Sequence, residues 1–525
     1  MMRQNLVAVD VGTASARAGI FDPTGRLLAR STHPILMQRP QENHAEHDST
    51  NIWNAVCLAV RAALADAGVL PDSIAAIGFD ATCSLVIRDE RGEPVSVSVT
   101  GKDRFDTIVW LDHRAIGEAD RLTASGHRVL DFAGKSVSPE MQMPKLMWLK
   151  ANLPASWARM SFAFDLADFL TWKATGSTKR SNCTQTAKWN FLAQENPGWQ
   201  ADYLNLAGLG DLKQRAGLPE TTVMPGTAIG PLSPEAAAEL GLDTGCQVAA
   251  GMIDAYAGTL GALGGCLSDD VGKHVALIAG TSSCLVAMSE RQMPGHSLWG
   301  PYWQAVLPGH WLVEGGQSAT GALLDHIVRM HAAGGEPDTA LHARIVARVT
   351  ELRVLEGAAF AERLHVLPDF HGNRSPLADP HAVGVISGLT LDTSFDSLCR
   401  LYWRTAVAIA LGARHVLDAM ERFGYAVESL HVTGGHVKNP LLMELYADVT
   451  GKRIVVPATA DAVLLGTAMT AAAAGGVHAG LAAAGAAMYP GNTEIPGNAA
   501  LTPLYERDYR RFLAMHRHRQ ELESL

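Results

Sequence analysis

The chain has 525 residues, of which 47% are hydrophobic and 18% are charged, and its formal net charge is −10. A single hydrophobic core is unusual at this length, so we expect two domains. The acidic balance, with no block of lysine or arginine, argues against a nucleic-acid-binding protein, and we expect no nucleic-acid partner.

Cysteine usage and apolar runs bear on the cellular compartment. The seven cysteines are scattered without a C-x-x-C pair, which argues against a disulfide framework or zinc site and favours the cytoplasm. The apolar run near the N-terminus is too short for the core of a signal peptide. Residues 462–490 lack Asp, Glu, Lys and Arg but are mostly Ala and Gly, so we expect a buried helix and a loop, and no membrane partner.

Strand and turn signals open the chain. LVAVDVG, ARAGIFD and RLLARST predict three strands, and STNIWNAVCLAVRAALADAG predicts an amphipathic helix that ends at Gly68. SIAAIGFDATCSLVIRD then predicts a single strand with polar residues just past its end. Because strands alternate with helices, we expect a mostly parallel sheet whose ligands lie beyond the carboxyl ends of the strands.

The opening pattern restarts near residue 270. KHVALIAGTSSCLVAMSE, residues 273–290, repeats the order of apolar strand, Gly-Thr-x-Ser turn and apolar strand. The repeat predicts an α/β protein with two related domains, 1–268 and 269–525, that face a central cleft. In the second half, SLHVTGGHVKNPLLMELYADVTGKRIVVP predicts a strand, a glycine turn, a helix and a strand. Asn439 suits the N-cap of that helix, Pro440 its first position and Gly451 its end.

Three glycine turns follow predicted strands, at residues 12–15, 280–283 and 434–435. Their exposed backbone N–H groups would form concavities that bind anions, and three such turns favour a nucleoside triphosphate. The chain has neither G-x-x-x-x-G-K-[ST] nor a G-x-G-x-x-G after a strand, so a P-loop or a dinucleotide site is not supported. His44, Glu46 and His47 have the spacing of metal ligands, but we interpret them as a surface loop before the helix cap DST.

Several acidic and basic residues stand at places suited to chemistry. Asp254 directly follows a predicted buried strand and precedes a helix of small residues, where it either caps that helix or acts as a general base. Asp80, Lys188 and Glu314 lie among aromatic and small polar residues, and together they suit a pocket for a polyhydroxylated molecule.

Taken together, these motifs resemble those of the FGGY carbohydrate kinases, over nearly the whole chain. DVGTASAR resembles the first phosphate loop of that family, IAGTSS the second, GGHVKNPLLMELYADVTG the adenosine segment and GMIDAYAGTLG the segment of the catalytic aspartate. GNRSPLADPHAVGVISGLTLD resembles the signature of the C-terminal domain. ATCSLV (residues 81–86), WLDHRA and SPEMQMPKLMWLK are similar to the branch associated with D-ribulose.

The resemblance implies two actin-like ATPase (ribonuclease H-like) domains and ATP-dependent phosphorylation of a pentulose with Mg²⁺. D-ribulose is the expected acceptor, and L-ribulose, ribitol and xylulose are the alternatives. An actin- or chaperone-like ATPase that controls partner binding is the alternative of another class. Family members often form homodimers, which makes a homodimer one expectation here.

The resemblance also implies roles for individual residues. Asp254 would be the catalytic base and Asp10 the metal ligand, and the sugar contacts would be Asp80, Lys188, Asp254 and Glu314. The expected nucleotide contacts are Asp10, Gly12, Thr13, Ser15, Arg17, Gly280, Thr281, Ser282, Gly434, Gly435 and Asn439.

Overall fold

The computed structural model describes residues 3–293, 295–357 and 360–525. The chain divides into two compact units. Unit 1 combines the chain up to Val271 with Met288–Val313 and Thr459–Gly491, and unit 2 combines Gly272–Ala287, Glu314–Ala458 and Asn492–Leu525. Both units contain strands and helices, so the expected α/β class is confirmed.

The elements are numbered in chain order. The strands are β1 (Asn5–Val11), β2 (Ser15–Phe21), β3 (Leu27–Pro34), β4 (Met37–Gln38), β5 (Glu46–His47), β6 (Ile74–Ala81), β7 (Leu85–Arg88), β8 (Thr107–Ile108), β9 (Phe162–Asp165), β10 (Ala228–Pro231), β11 (Gln247–Ala249), β12 (Met252–Ile253), β13 (His274–Ala279), β14 (Ser283–Ser289), β15 (Trp299–Trp303), β16 (Trp311–Gln317), β17 (His365–Leu367), β18 (Val385–Ser387), β19 (Ser429–Thr433), β20 (Arg453–Pro457) and β21 (Asn492–Ile495). The α-helices are α1 (Ser49–Ala67), α2 (Ile116–Ala124), α3 (Gln142–Asn152), α4 (Pro154–Arg159), α5 (Leu166–Thr175), α6 (Asn182–Lys188), α7 (Ala201–Leu206), α8 (Leu212–Arg215), α9 (Pro234–Leu240), α10 (Asp254–Leu263), α11 (Gly321–Met330), α12 (Thr339–Glu356), α13 (Phe395–Arg422), α14 (Pro440–Thr450), α15 (Ala462–Ala474), α16 (Leu481–Met488) and α17 (Thr502–Glu523).

The central sheet of unit 1 has the strand order β10–β11–β6–β1–β2–β3, with β12 also pairing with β6. The predicted strands β1, β2 and β3 and helix α1 are confirmed, and α1 ends at Gly68 in the left-handed conformation. The expectation of a mostly parallel sheet is wrong, because the short turns between β1, β2 and β3 make these strands antiparallel, while β1 and β6 are parallel.

A second, smaller sheet in unit 1 has the order β4–β5–β8–β7–β9. The strand predicted over SIAAIGFDATCSLVIRD is in fact two strands, β6 in the central sheet and β7 in this one, because the chain leaves the central sheet after Ala81. The surface position expected for His44, Glu46 and His47 is also wrong. All three side chains are buried, and Glu46 forms a buried ion pair with Arg114 at 2.9 Å.

Residues 462–490 form two helices, α15 and α16, where a helix and a loop were predicted. The buried position of α15 is as predicted, and among the described residues no helix is long and apolar enough to cross a membrane. Side chains alternate across β1, so Val7 and Val9 pack in the cluster that contains α1, whereas Leu6 and Ala8 pack with α15 on the opposite face of the sheet.

Helix α15 approaches its neighbours through glycines. A methyl group on Gly466 would overlap the carbonyl oxygen of Ala257 in α10, and one on Gly261 of α10 would overlap that of Ala462. A Cβ on Gly78 of β6 would lie 2.7 Å from the carbonyl oxygen of Thr467. The Ala- and Gly-rich composition of these helices therefore permits close backbone contact between α15, α10 and the sheet.

Unit 2 contains a mixed sheet in which the strands β16, β14, β13, β19, β20 and β21 lie in that order. The hairpin β13–β14 follows the predicted repeat, and β13 pairs with β19 in parallel. The prediction for α14 is confirmed: the Asn439 side chain accepts a hydrogen bond from the backbone N–H of Leu441, Pro440 begins the helix and Gly451 ends it in the left-handed conformation.

The glycine contacts of α15 predict a stability effect. We expect Gly261→Ala to lower the free energy of unfolding by about 1–3 kcal/mol, because the added methyl group meets a backbone carbonyl that cannot rotate away. The matched control is Gly117→Ala in α2, where a Cβ would meet nothing and the loss of glycine should raise stability by up to about 1 kcal/mol. Urea denaturation of both variants measures the difference, and equal effects would contradict the interpretation.

Candidate functional site

An acidic cluster forms where β1, β2 and β6 lie side by side in unit 1. Asp10 of β1 is directly opposite Asp80 of the parallel strand β6 and opposite Arg17 of the antiparallel strand β2. Asp10 continues the alternation of Leu6 and Ala8, so its side chain lies on the face of the sheet that α15 covers. The two carboxylates are buried, with 1% and 0% exposure.

Helix α15 supplies two partners to this cluster. The hydroxyl of Thr467 donates a hydrogen bond to Asp80 Oδ2. Asp461, which caps α15 by accepting a hydrogen bond from the Leu464 backbone N–H, lies 3.4 Å from Arg17 Nη1. Arg17 also forms an ion pair with Asp10. One arginine is therefore shared between a carboxylate of the sheet and one of the helix.

The electrostatics of the cluster favour binding of positive charge. Burial raises the pKa of the Asp10 carboxyl; Arg17 opposes this shift, and Asp254 and Asp461 add to it. Burial and the neighbouring Asp10 raise the pKa of Asp80 well above its usual range. Among the described residues, no amide, hydroxyl or cationic group donates a hydrogen bond to Asp10 Oδ1 or Asp80 Oδ1. Two buried carboxyl groups that lie side by side in this way fit a divalent cation such as Mg²⁺, which prefers oxygen ligands.

Asp254 is the first residue of α10 and directly follows β12, whose residue Met252 pairs with Asp80. Its Oδ1 accepts a hydrogen bond from the Ala255 backbone N–H at 2.7 Å. Asp254 contributes to the electrostatic environment of both Asp10 and Asp80. The structure thus brings Asp10, Arg17, Asp80 and Asp254 together.

The first two glycine turns are more closed than the sequence indicated. The Gly12 N–H donates to the carbonyl oxygen of Ser15 at 3.0 Å, and the Gly280 N–H donates to that of Ser282 at 2.8 Å. These two amides are therefore used inside their turns, which corrects the expectation that they are free to bind an anion. A Cβ on Gly280 would meet no atom within 4 Å, so space remains beside this turn.

The third turn is joined to the second within unit 2. Gly434 has φ +91°, and a Cβ there would overlap the carbonyl oxygen of Ala279, so this position requires glycine. His436 follows Gly435 and hydrogen-bonds through Nε2 to the carbonyl oxygen of Gly280 at 3.0 Å and through Nδ1 to the Tyr446 hydroxyl at 2.9 Å. Burial lowers the pKa of His436 to about 4, so the ring is neutral at pH 7. Sequence reasoning missed His436, although it directly follows the predicted Gly-Gly turn.

The predicted sugar contacts belong to different units. Lys188 ends α6 in unit 1, where it is buried with its Nζ 5.0 Å from the centre of the Trp299 ring. Lys188 and Asp254 both act electrostatically on the thiol of Cys83. Glu314 is buried in β16 and belongs to unit 2. Asp80 lies in the acidic cluster described above.

A layer of buried polar side chains beside Cys83 was also missed. Gln142 Nε2 donates to the Cys83 carbonyl oxygen at 3.1 Å and to Asp165 Oδ2 at 2.9 Å. Burial lowers the pKa of Lys145 to about 8, with Asp112, Cys83, Glu140 and Asp165 as the titratable groups around it. The sequence pattern that could have indicated this layer is QMPKLMWLK, in which polar residues occupy positions that α3 buries.

Comparison with known proteins agrees with this architecture. The family models that match are the N-terminal domain of the FGGY family of carbohydrate kinases, over residues 5–261, and its C-terminal domain, over residues 275–475. An FGGY carbohydrate kinase domain-containing protein of Danio rerio is 41% identical over 542 residues, covering 99% of this chain and 98% of that protein. A D-ribulokinase of Saccharomyces cerevisiae is 36% identical over 511 residues, covering 89% of this chain and 71% of that protein.

Solved structures share the fold. The crystal structure of a xylulose kinase from Rhodospirillum rubrum superposes with a TM-score of 0.81 at 23% identity, covering 99% of each chain. A gluconate kinase from Lactobacillus acidophilus gives a TM-score of 0.81 at 18% identity, covering 98% of each chain. The expected actin-like fold of a sugar kinase is therefore confirmed. Since the family models match most of its length, the chain belongs to the FGGY family of carbohydrate kinases and is a phosphotransferase of that class.

Proposed function

We propose that the protein phosphorylates D-ribulose with ATP to give D-ribulose 5-phosphate. The observation that carries the choice of sugar is the 36% identity to a D-ribulokinase over 511 residues. The polar surroundings of Cys83, with Lys188, Asp254 and the Gln142–Asp165 pair, support a polyhydroxylated acceptor. The first experiment measures ADP release with ATP, Mg²⁺ and a panel of D-ribulose, L-ribulose, ribitol and xylulose. If another sugar of the panel is turned over fastest, that sugar replaces D-ribulose as the proposed substrate.

The nucleotide would be held by backbone turns and by charge. In this proposal Arg17 neutralises negative charge at the phosphate end, and space beside Gly280 admits a phosphate oxygen. The proposed nucleotide contacts are Asp10, Gly12, Thr13, Ser15 and Arg17 in unit 1 and Gly280, Thr281, Ser282, Gly434, Gly435 and Asn439 in unit 2.

Asp10 and Asp80 would together hold Mg²⁺, since their buried carboxyl groups lie beside each other on adjacent strands. The ion would neutralise charge on the phosphates of ATP. This assignment moves Asp80 from the sugar, where the sequence suggested it, to the cation. The support is its position opposite Asp10 and the single hydrogen bond from Thr467 to its Oδ2, which leaves Oδ1 to face Asp10 and the ion.

Asp254 would orient the acceptor hydroxyl and take its proton as the oxygen attacks the γ-phosphate. Its place at the start of α10 holds the carboxylate in one direction, because the Ala255 N–H fixes Oδ1. Lys188 and Glu314 would hydrogen-bond to the keto and hydroxyl groups of the sugar. A site built on such bonds rejects analogues that lack a partner group.

We expect Asp254→Asn to lower kcat by ~10²–10⁴-fold, because the amide cannot accept the proton of the sugar hydroxyl. The Kd of D-ribulose, measured by calorimetry, should stay close to that of the unmodified protein. The control is Asp66→Asn on the exposed face of α1, which should change neither quantity. A parallel loss of binding and turnover would remove Asp254 from the role of base.

We expect Lys188→Ala to raise the KM for D-ribulose by about 10-fold or more, and to change the KM for ATP much less, because a charged hydrogen bond to the sugar is lost. Lys150→Ala is the matched control: Lys150 Nζ lies 4.9 Å from the Trp157 ring, a cation–π contact like that of Lys188, but on the surface. Steady-state kinetics with each substrate varied in turn separate the two constants. A larger effect on ATP would exclude Lys188 from the sugar side.

A further inference from the structure

Trp110 joins two segments of unit 1 that carry different parts of the chemistry. Its backbone N–H donates a hydrogen bond to the Ser84 hydroxyl at 3.2 Å, and its indole Nε1–H donates one to the Thr13 hydroxyl at 2.9 Å. Thr13 belongs to the first glycine turn, and Ser84 belongs to the turn 82–84 between β6 and β7. One residue therefore touches both the proposed phosphate side and the proposed sugar side.

The turn 82–84 is fixed from three directions. The Thr82 N–H donates to the Val11 carbonyl oxygen at 3.1 Å, at the end of β1. The Gln142 side chain donates to the Cys83 carbonyl oxygen, and the Leu166 N–H donates to that of Ser84 at 2.9 Å. Ser84 is completely buried, so its hydroxyl gives the Trp110 backbone a rigid anchor.

The first glycine turn is held by backbone bonds and by the buried His47 ring, which interacts with the Thr13 backbone. Within the turn, Gly12 bonds to Ser15, and outside it the Ala14 carbonyl oxygen accepts a hydrogen bond from the Ile35 N–H at 2.9 Å. The Thr13 side chain is partly exposed and takes its direction from the Trp110 indole. Because the indole ring is rigid and its backbone is anchored, the position of the Thr13 hydroxyl depends on that of the turn 82–84.

We propose that Trp110 is a positioning residue that couples sugar binding at the turn 82–84 to nucleotide binding at the first glycine turn. This inference rests on the proposed function, because it places the sugar beside Cys83. A ketose bound there shifts the anchored turn and Trp110 as one unit, and the indole carries that shift to the Thr13 hydroxyl, so the nucleotide binds more tightly. By thermodynamic reciprocity the nucleotide tightens sugar binding by the same factor.

The test measures that factor directly. Calorimetry gives the Kd of the non-hydrolysable ATP analogue AMP-PNP with Mg²⁺, in the absence and presence of saturating D-ribulose, and the ratio of the two values is the coupling factor. We expect Trp110→Phe, which keeps an aromatic ring without the N–H, and Thr13→Val, which keeps the shape without the hydroxyl, each to lower the factor by about 2- to 10-fold. Thr13→Ser, which keeps the hydroxyl, should restore most of it.

A double-mutant cycle separates the bond from general structural damage. If the Trp110–Thr13 bond carries the coupling, the double variant should lose no more than either single variant. The matched control is Trp53→Phe, which removes an indole bond to Glu239 in the same unit and should leave the factor unchanged. The inference would be overturned if the losses of the two single variants were independent and additive. It would also be overturned if their loss equalled that of Trp53→Phe, or if the unmodified protein showed no coupling.

The outcomes also separate this inference from the function on which it rests. If the unmodified protein phosphorylates no sugar of the panel, the proposed function fails. If it phosphorylates D-ribulose and the variants keep the full coupling factor, the proposed function stands and the role of Trp110 fails.

Discussion

Helix α15 lies in backbone contact with α10 and with the central sheet, and the candidate site depends on this close approach. Glycines at 78, 261 and 466 leave no side chain between the elements. The approach brings Thr467 within hydrogen-bonding distance of Asp80 and places Asp461 beside Arg17. A helix held one side chain further away would leave Asp80 without its hydroxyl partner and Arg17 with one carboxylate fewer. Glycine at these positions is therefore a requirement of the site as much as of the core.

The acidic cluster is electrostatically unfavourable without a ligand. Two buried carboxylates face each other across adjacent strands, and Arg17 is the cation that contacts Asp10 in the described structure. Burial disfavours their ionised forms, which is why the pKa of both groups is raised. Perturbed pairs of this kind are typical of functional sites, because a bound cation converts the repulsion into favourable contacts. The cluster is thus better explained by the chemistry of a phosphotransferase than by its contribution to stability.

The sequence correctly predicted the structural features that depend on residues close together in the chain. Strand alternation, the cap at Asn439 and the left-handed ends at Gly68 and Gly451 depend on neighbouring residues, and the structure has each of them. The partnership of Thr467 with Asp80 joins residues 387 positions apart and has no local pattern. Lys145 was missed for another reason: a charged residue among apolar ones looks like the exposed position of an amphipathic helix, whereas α3 buries it completely. The central sheet is partly antiparallel because the turns that join β1, β2 and β3 are short. The prediction of a mostly parallel sheet used the alternation of strands and helices and did not take these turn lengths into account.

Unit 1 is discontinuous along the chain, and this has a consequence for synthesis on the ribosome. The strands that carry Asp10 and Asp80 emerge early, but α15 emerges only after the long segment Glu314–Ala458 of the other unit. During that interval Leu6, Ala8 and Ala76 of the nascent sheet lack the helix that covers them in the finished protein. A truncated polypeptide that ends before α15 would expose this apolar face and be prone to aggregation or recognition by chaperones. The acidic cluster therefore gains its partners Thr467 and Asp461 only after α15 has been synthesised, and a product that ends before α15 lacks both.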